Sequence, residues 1–530
     1  MKKTEVLAMK NPYLPLRFVL IRALACAAVF LGLMTAGLMA GEAVELQILH
    51  INDFHGYLLP YEDKALAPLP EKIGGAAFIA SKIRELRALN PEGTLTLDAG
   101  DIAQGTPLSN EFRGKPVVEY MSALGFDAME LGNHEFDWGV PVLREMVAHA
   151  SFPVLCANIV EEKTGKPLPF VSPYHVFTRK GVRIGIIGLI TPQTPRISNP
   201  LHMKGLRFLP PEEVAARYRD ELKAQGVQVV GLLSHCGVDA DKELAARVPG
   251  IAFIIGGHSH TALKDPLVVN GTIIVQARAY GMYLGDLTFS VDRDTGKVLS
   301  FKERDELIPI VDRDITADPA VVALLEPYVR KIQPVMKEVV GFAREEIPKV
   351  PLPGRGDSAM GDLVADLLRE YSGTEVFFIN SGALRMPFYR GKITREDVYR
   401  MFPFEDVVVT VSLAGSAIKA VLEHGVLTEK VIQVSGVSFA YRRGAQGTVQ
   451  ISEVMVGGRP LDDRRLYRVG TIDYLYHGGD GYMMFQKGRN PRFGEASVRD
   501  IIGNCIKSKV TIGVPSDARV LLSGEPPGRK

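Results

Sequence analysis

Cysteine is scarce in this chain. Its 530 residues include four, with no CxxC pair among them, which excludes a disulfide-stapled scaffold and a thiolate zinc site. Cys26 lies in the N-terminal apolar run, leaving Cys156, Cys236 and Cys505, enough for one disulfide at most. An excess of charge of one sign is missing too. Sixty-two Lys and Arg balance 61 Asp and Glu to a net +1, so there is no electrostatic footprint for a nucleic acid polymer or an anionic membrane. A few local cations would still hold a phosphorylated small molecule. Internal repeats and low-complexity tracts are absent. With 46% apolar and 23% charged residues the composition is globular, and the length exceeds what one core fills, so two or more domains are expected.

Long apolar runs are confined to the first forty residues, where Lys2, Lys3, Lys10, Arg17 and Arg22 precede or enter "ALACAAVFLGLMTAGLMA". This pattern predicts a secretory signal cleaved near Ala40 or Ala43. The short, small-residue-rich core argues against an uncleaved anchor. The protein is therefore expected to be periplasmic or otherwise exported, with no stable membrane insertion after cleavage.

From Val44 to about residue 314, short apolar runs alternate with helix-period stretches, an α/β pattern. Strands are predicted at "ELQILHI", "GTLTLDA", "VRIGIIGLI", "VQVVGLLS", "IAFIIGG" and "TIIVQA", and helices at "AAFIASKIRELRAL" and "PEEVAARYRDELKAQG". Residues 315–340 read as a helical connector, broken at Pro327 and Pro334. A second α/β region follows over 341–522, then a frayed tail at 523–530.

The polar residues fall at the ends of the strands. "ELQILHI" runs into Asp53 and His55, "GTLTLDA" into Asp101, and "MEL" into Asn133 and His134. "VQVVGLLS" runs into His235, and "IAFIIGG" into His258 and His260. In an α/β sheet such ends open on one edge, where ligands bind. A cluster of carboxylate, amide and imidazole suits divalent Mn, Zn, Fe or Co. Two ions sharing a carboxylate would use all seven ligands and serve phosphoryl displacement. Taken singly, each of these residues is as well explained by a cap or a turn; five coincident strand ends are not.

"NDFHG", "GDIAQG", "GNHEFD", "SHCG" and "GGHSH", in this order, resemble the calcineurin-like metallophosphoesterases, and more narrowly their secreted 5'-nucleotidase and UDP-sugar hydrolase branch. The resemblance implies an N-terminal four-layer αββα sandwich joined to a C-terminal α/β nucleotide-binding domain. It implies that Asp53, His55, Asp101 and His260 hold one metal, and that Asp101, Asn133, His235 and His258 hold a second. His134, oriented by Asp137, would stabilise the transition state or protonate the leaving oxygen. In the second region "NSGALR", "FPFED" and "DYLYHGGDGY" resemble the branch's substrate motifs, which implies roles for Arg355, Asn380, Arg385, Phe404, Tyr474 and Asp480. Phe404 and Tyr474 would clamp a base, and Asp480 would meet the ribose. Asp406 stands where relatives often carry Asn, Tyr474 where Phe is commoner, and Ser381 and Ala383 interrupt the usual glycines. The expected protein is a monomeric enzyme with two divalent metal ions that releases phosphate from 5'-nucleotides, and also takes UDP-sugars and nucleoside di- and triphosphates. The alternatives are a 2',3'-cyclic-nucleotide 2'-phosphodiesterase/3'-nucleotidase, a carrier-directed thiohydrolase, and a non-catalytic binding protein of the same fold.

Overall fold

The computed structural model describes residues 42–62, 72–302, 307–351, 353–427, 431–444 and 448–523. Residues 1–41 of the expected leader and residues 524–530 of the expected tail lie outside them. Among the described residues no helix is long and apolar enough to cross a membrane.

The first domain is built on two facing sheets. In one, the strands β1 (Ala43–Ile51), β2 (Thr94–Asp98), β3 (Ala128–Glu130) and β4 (Val154–Leu155) lie side by side and parallel. In the other, β5 (Val182–Ile190), β6 (Val229–His235), β7 (Phe253–Gly256) and β8 (Thr272–Val275) do the same. The strand β9 (Tyr283–Asp292) returns antiparallel to β1. Strand periodicity decides the layers. Leu46 and Ile48 of β1 meet Val229 and Leu233 of β6 in the core between the sheets. Leu49 and Ile51 face the other way, onto the helices α1 (Ala76–Arg87), α2 (Lys115–Leu124) and α3 (Gly139–His149). Val230 and Leu232 face α4 (Pro211–Ala224) and α5 (Val238–Arg247). The strands of the second sheet, such as β5 and β6, are apolar on both faces and read as continuous runs, whereas Thr94, Thr96 and Asp98 alternate with Leu95 and Leu97 along β2. The result is the αββα sandwich.

Residues 319–336 do not break at their prolines. They form one helix, α6 (Pro319–Met336), with Pro327 and Pro334 inside it. A proline deletes one intrahelical bond, and here the neighbouring turns are held independently. Asp318 caps the start by accepting from the Ala320 and Val321 amides. Val321 and Leu325 are buried in the α1–α3 layer, and the Tyr328 hydroxyl donates to Glu119 at 2.7 Å. The helix is thus packed on the first domain, and the strand Val339–Ala343 follows it directly.

The second domain has one core. Its central sheet sets β10 (Val376–Ile379) parallel to β12 (Leu466–Ile472), which pairs antiparallel with β11 (Val407–Ala414). Three helices, Ala359–Ser372, Gly415–Leu427 and Val498–Lys509, bury Leu368, Leu422 and Ile502 in the same cluster. Cys156, Cys236 and Cys505 are free thiols.

Candidate active site

The carboxyl ends of β1, β2, β3, β6 and β7 meet at one edge of the sandwich and bring the predicted ligands into two sets. Asp53, His55 and His260 form one, and Asp101, His235 and His258 the other; within each set the ligand atoms lie within 4.8 Å of one another. His235 Nε2 is 3.1 Å from Asp101 Oδ2 and 4.0 Å from Asp53 Oδ1, and His55 Nε2 is 3.8 Å from Asp101 Oδ2, so the carboxylates sit between the sets.

The backbone that presents these groups is strained. Asp53, His55, Asp101, His258 and His260 all have positive φ, between 50° and 74°, a region that side chains other than glycine rarely adopt. The surrounding bonds over-determine it. The Asp53 amide donates to the Gly100 carbonyl and the His55 amide to Asp101, both at 2.9 Å. The buried Glu135 carboxylate accepts from the amides of Asp101, Ile102 and Gly132 at 2.6–2.9 Å, stapling the loop after β2 to the loop after β3. Gly132 admits that closeness, since a Cβ there would lie 2.2 Å from Asp101 Oδ1. Burial, with Asp101 beside it, pushes the Glu135 carboxyl up to about 7.

The donor set fits divalent cations. His55 Nδ1 bonds the Gln104 carbonyl and His235 Nδ1 the Ala99 carbonyl, both at 2.7 Å. Carbonyls only accept, so each Nδ1 carries a proton and each Nε2 is the atom that faces the cluster. His235 Nε2 and Asn133 Oδ1 are buried with no hydrogen-bond partner, an expense that a cation would remove. Burial holds the His55 imidazole well below its usual range and lowers His258 to about 4, both in the neutral state that ligates. At His235 burial acts the same way but Asp101 and Asp53 outweigh it, lifting the group to about 10, so a cation taking Nε2 would displace a proton that these carboxylates hold there.

Beside the cluster His134 is held from both sides. Its Nδ1 is 2.7 Å from Asp137 Oδ2, and its Nε2 is 2.9 Å from Arg385 Nη2 of the second domain. Arginine only donates, so Nε2 accepts and the proton lies on Nδ1 against Asp137. Burial opposes a charge on this ring, but Asp137 and Asp101 prevail and raise its pKa.

A cavity of about 680 Å³ joins the two domains here, lined on the first by Asp101, Asn133, His134, Asp137, His258 and His260, and on the second by Asn380, Arg385, Phe404, Tyr474 and Asp480. Arg385 lies 5.4 Å over the Phe404 ring. The Tyr474 hydroxyl donates to Asp480 Oδ1 at 2.8 Å and lies 3.1 Å from the Arg196 carbonyl of the first domain. Asn380 donates to the other Asp480 oxygen at 2.8 Å, so the carboxylate is positioned from two directions.

Arg355 is not brought to this cavity. Its fork is bidentate to Asp357 at 2.7 and 2.8 Å, and it also reaches Asp362 at 2.8 Å and the Asp517 carbonyl at 2.9 Å. Those partners tie the C-terminal segment to the start of the helix Ala359–Ser372, and they hold the Nε and Nη2 side of the fork.

Tyr280 was not singled out in the sequence. Its ring lies 5.5 Å from His55 and 5.3 Å from His260, five residues after β8 ends. The strand-end rule that located the ligands, extended to β8, reaches it. Gln104, within "GDIAQG", was also passed over; its carbonyl fixes the His55 tautomer, while its buried side-chain amide has no partner.

Residues 46–262 match the family model of the calcineurin-like phosphoesterases, and residues 339–487 that of the 5'-nucleotidase C-terminal domain. A snake venom 5'-nucleotidase from Gloydius brevicauda is 30% identical over 92% of this chain and 90% of its own length. The Bos taurus 5'-nucleotidase is 30% identical over 89% and 90%. Among solved structures, a 5'-nucleotidase precursor from Thermus thermophilus superposes with a TM-score of 0.83 at 30% identity, covering 91% of this chain and all (100%) of that one. A Thermus thermophilus sulfate thiohydrolase, at 23% identity and a TM-score of 0.75, shares the fold.

Proposed function

Because this chain belongs to the 5'-nucleotidase family of metallophosphoesterases and is a hydrolase of phosphoric esters, we propose that it is an exported monomeric enzyme that releases phosphate from 5'-nucleotides, with two divalent ions of the Mn or Zn kind. UDP-sugars and nucleoside di- and triphosphates fall within the same proposal. One observation carries the reading: a single cavity has Asp101, Asn133, His258 and His260 at one end and Phe404, Tyr474 and Asp480 at the other. A phosphate and a nucleoside are the two halves that such a cavity separates. Export rests on the N-terminal leader alone.

Asp53, His55 and His260 would hold one ion, and Asn133, His235 and His258 the other, with Asp101 between them. Bound there, the ions supply Lewis acidity at the scissile phosphorus and acidify water toward neutral pH. The remaining work falls to side chains. Arg385 carries a forked donor suited to two phosphate oxygens; on its present partner, His134 Nε2, it occupies the place a phosphate oxygen would take. As Arg385 turns to the phosphate, Nε2 is released. Asp137 keeps one proton on Nδ1, so a second proton resides on Nε2, facing the cavity, where it donates to a phosphoryl or leaving oxygen. Phe404 and Tyr474 hold the base through its faces, which tolerates several bases. Asp480, already oriented by Asn380 and Tyr474, accepts from the ribose hydroxyls.

The test is phosphate release by the metal-stripped mature protein with and without Mn²⁺, on 5'-AMP, UDP-glucose, 2',3'-cyclic AMP and a phosphate ester without a base. Metal-dependent release from 5'-AMP well above the baseless ester is the expected result. Preference for the cyclic nucleotide would move the assignment to the phosphodiesterase branch. Silence with every metal would leave a binding protein.

A further inference from the structure

A second cavity, of about 570 Å³, shares the walls His260 and Arg385 with the first and contains none of Phe404, Tyr474 or Asp480. It adjoins the proposed phosphate position without belonging to the nucleoside side. Both domains build it: Tyr57, Tyr61, Arg278 and Tyr280 from the first, Lys349 and Tyr389 from the second.

Two features mark it as more than a gap between domains. The first is an aromatic surface that ends on a proposed metal ligand. The Tyr57 ring is 4.7 Å from Tyr61 and 4.6 Å from Tyr280, and Tyr280 is 5.3 Å from His260. The second is Arg278. It is partly buried, and its guanidinium has no hydrogen-bond or ion-pair partner among the described residues. Its backbone is nevertheless fixed closely. Asn52, next to Asp53, accepts from the Ala277 amide at 2.8 Å and donates to the Arg278 carbonyl. The Arg278 amide donates to Thr261 at 3.0 Å and the Tyr280 amide to Asp53 at 2.8 Å. Arg278 and Tyr280 both have positive φ, 60° and 62°. A strained segment, bonded to both loops of the first metal set, thus carries a guanidinium with no protein anion to meet it. Strain and partial desolvation of this kind are sustained where something binds.

We propose that this cavity is a second substrate subsite, which receives the hydroxylated ring esterified to the distal phosphate of a nucleoside diphosphate ester while the nucleoside occupies the Phe404–Tyr474 cavity. The proposal rests on the nucleotide reading of that first cavity. Tyr57 and Tyr61 are buried beneath Arg400 and back the partly exposed Tyr280, whose ring takes the C–H face of a sugar, and the five N–H donors of Arg278 suit adjacent hydroxyls. The distal phosphorus then lies between the subsites, at His260 and Arg385. Water oxygen bonds to that phosphorus and its bond to the bridging oxygen breaks. The bridging oxygen leaves with the nucleoside monophosphate, the ring leaves as its monophosphate, and the water protons pass to the two products or to solvent. No electron transfer is involved.

The experiment compares UDP with UDP-glucose on the metal-loaded full chain, because the two differ only in the glucosyl ester on the distal phosphate. 5'-UMP serves as the control. Arg278→Gln is expected to raise KM for UDP-glucose by about tenfold or more, as for a lost polar contact that selects one substrate, while kcat/KM for UDP and 5'-UMP stays within about twofold. Tyr389→Ala, from the opposite domain, is expected to act in the same direction, and 5'-UMP turnover shows that each variant is folded. Equal losses on UDP and UDP-glucose, no loss on either, or wild-type turnover of UDP without UDP-glucose would each overturn the subsite and leave the nucleotide reading standing. Failure of the wild type on 5'-UMP would overturn both.

Discussion

His134 sits between a carboxylate that fixes its proton and an arginine that belongs to the other domain. Its removal separates catalysis from metal binding. His134→Ala should lower kcat by about 10²–10⁴, the usual worth of a positioned proton donor, with the metal content by elemental analysis unchanged. Asp137→Asn withdraws the charge that raises the ring's pKa, so the alkaline limb of the pH–rate profile should move to lower pH. Phe404 tests the other half of the site. Base stacking is worth about 1–3 kcal/mol, so Phe404→Ala should raise KM for 5'-AMP by roughly 5- to 160-fold and leave a baseless phosphate ester almost untouched. At this scale the sequence was legible where chemistry is local: Asp53, Asp101 and His235 each follow an apolar run, and the run announces the edge. Arg355 does not line the cavity, and its partners include Asp517, 162 residues away; which groups an arginine meets depends on contacts that spacing does not encode.

Among the elements, α5 carries a buried acid with a testable cost. Asp241 in its first turn is fully buried; Ser234 Oγ donates to its Oδ1 at 2.5 Å, and Oδ2 has no partner. Burial pushes the carboxyl up from 3.8 to about 7. The unfolded chain therefore ionises first as pH rises, while the folded state keeps its proton until about 7. Stability from this group falls from about pH 4 to about pH 7 and then levels, a loss of no more than about 4 kcal/mol. Asp241→Asn keeps the acceptor for Ser234 and cannot ionise. Its thermal midpoint should pull ahead of wild type across that window and hold a constant lead above it. A lead independent of pH would refute the assignment. The strands and the helices α1 and α4 were legible because their apolar period is set within a dozen residues. The continuity of α6 through Pro327 and Pro334 was not, because the turns on either side are held by α1–α3, which the local sequence does not show.

Over the whole molecule, the two domains meet through contacts of unequal value. Arg113 and Glu405, 2.7 Å apart, are about half exposed, with side-chain accessibilities of 48% and 41%; such a pair contributes about 0–1 kcal/mol. Asn110, buried, donates to the Pro403 carbonyl at 2.7 Å, and Tyr399 bonds Glu111. Both ends of the site must be in place together, so a rotation that parts the domains would dismantle it and release product. The metals, by contrast, concern only the first domain. Chelation should abolish turnover and lower only the thermal transition of that domain, with ions at a hundredfold excess over Kd restoring about 2.7 kcal/mol per site. A shift of both transitions together would mean that the domains unfold as one unit.

The sequence by itself determined the α/β layers, the five strand ends that carry Asp, Asn and His, and the His134–Asp137 pair, because each is written within a dozen residues of chain. The tertiary structure alone decided what lies between them. It set five candidate ligands in left-handed backbone, made Glu135 the staple between two loops, sent Arg355 to Asp357 and Asp362, and laid Arg385 against His134. Those outcomes depend on which distant groups reach a buried charge first, and that competition is settled only when the two cores close on each other.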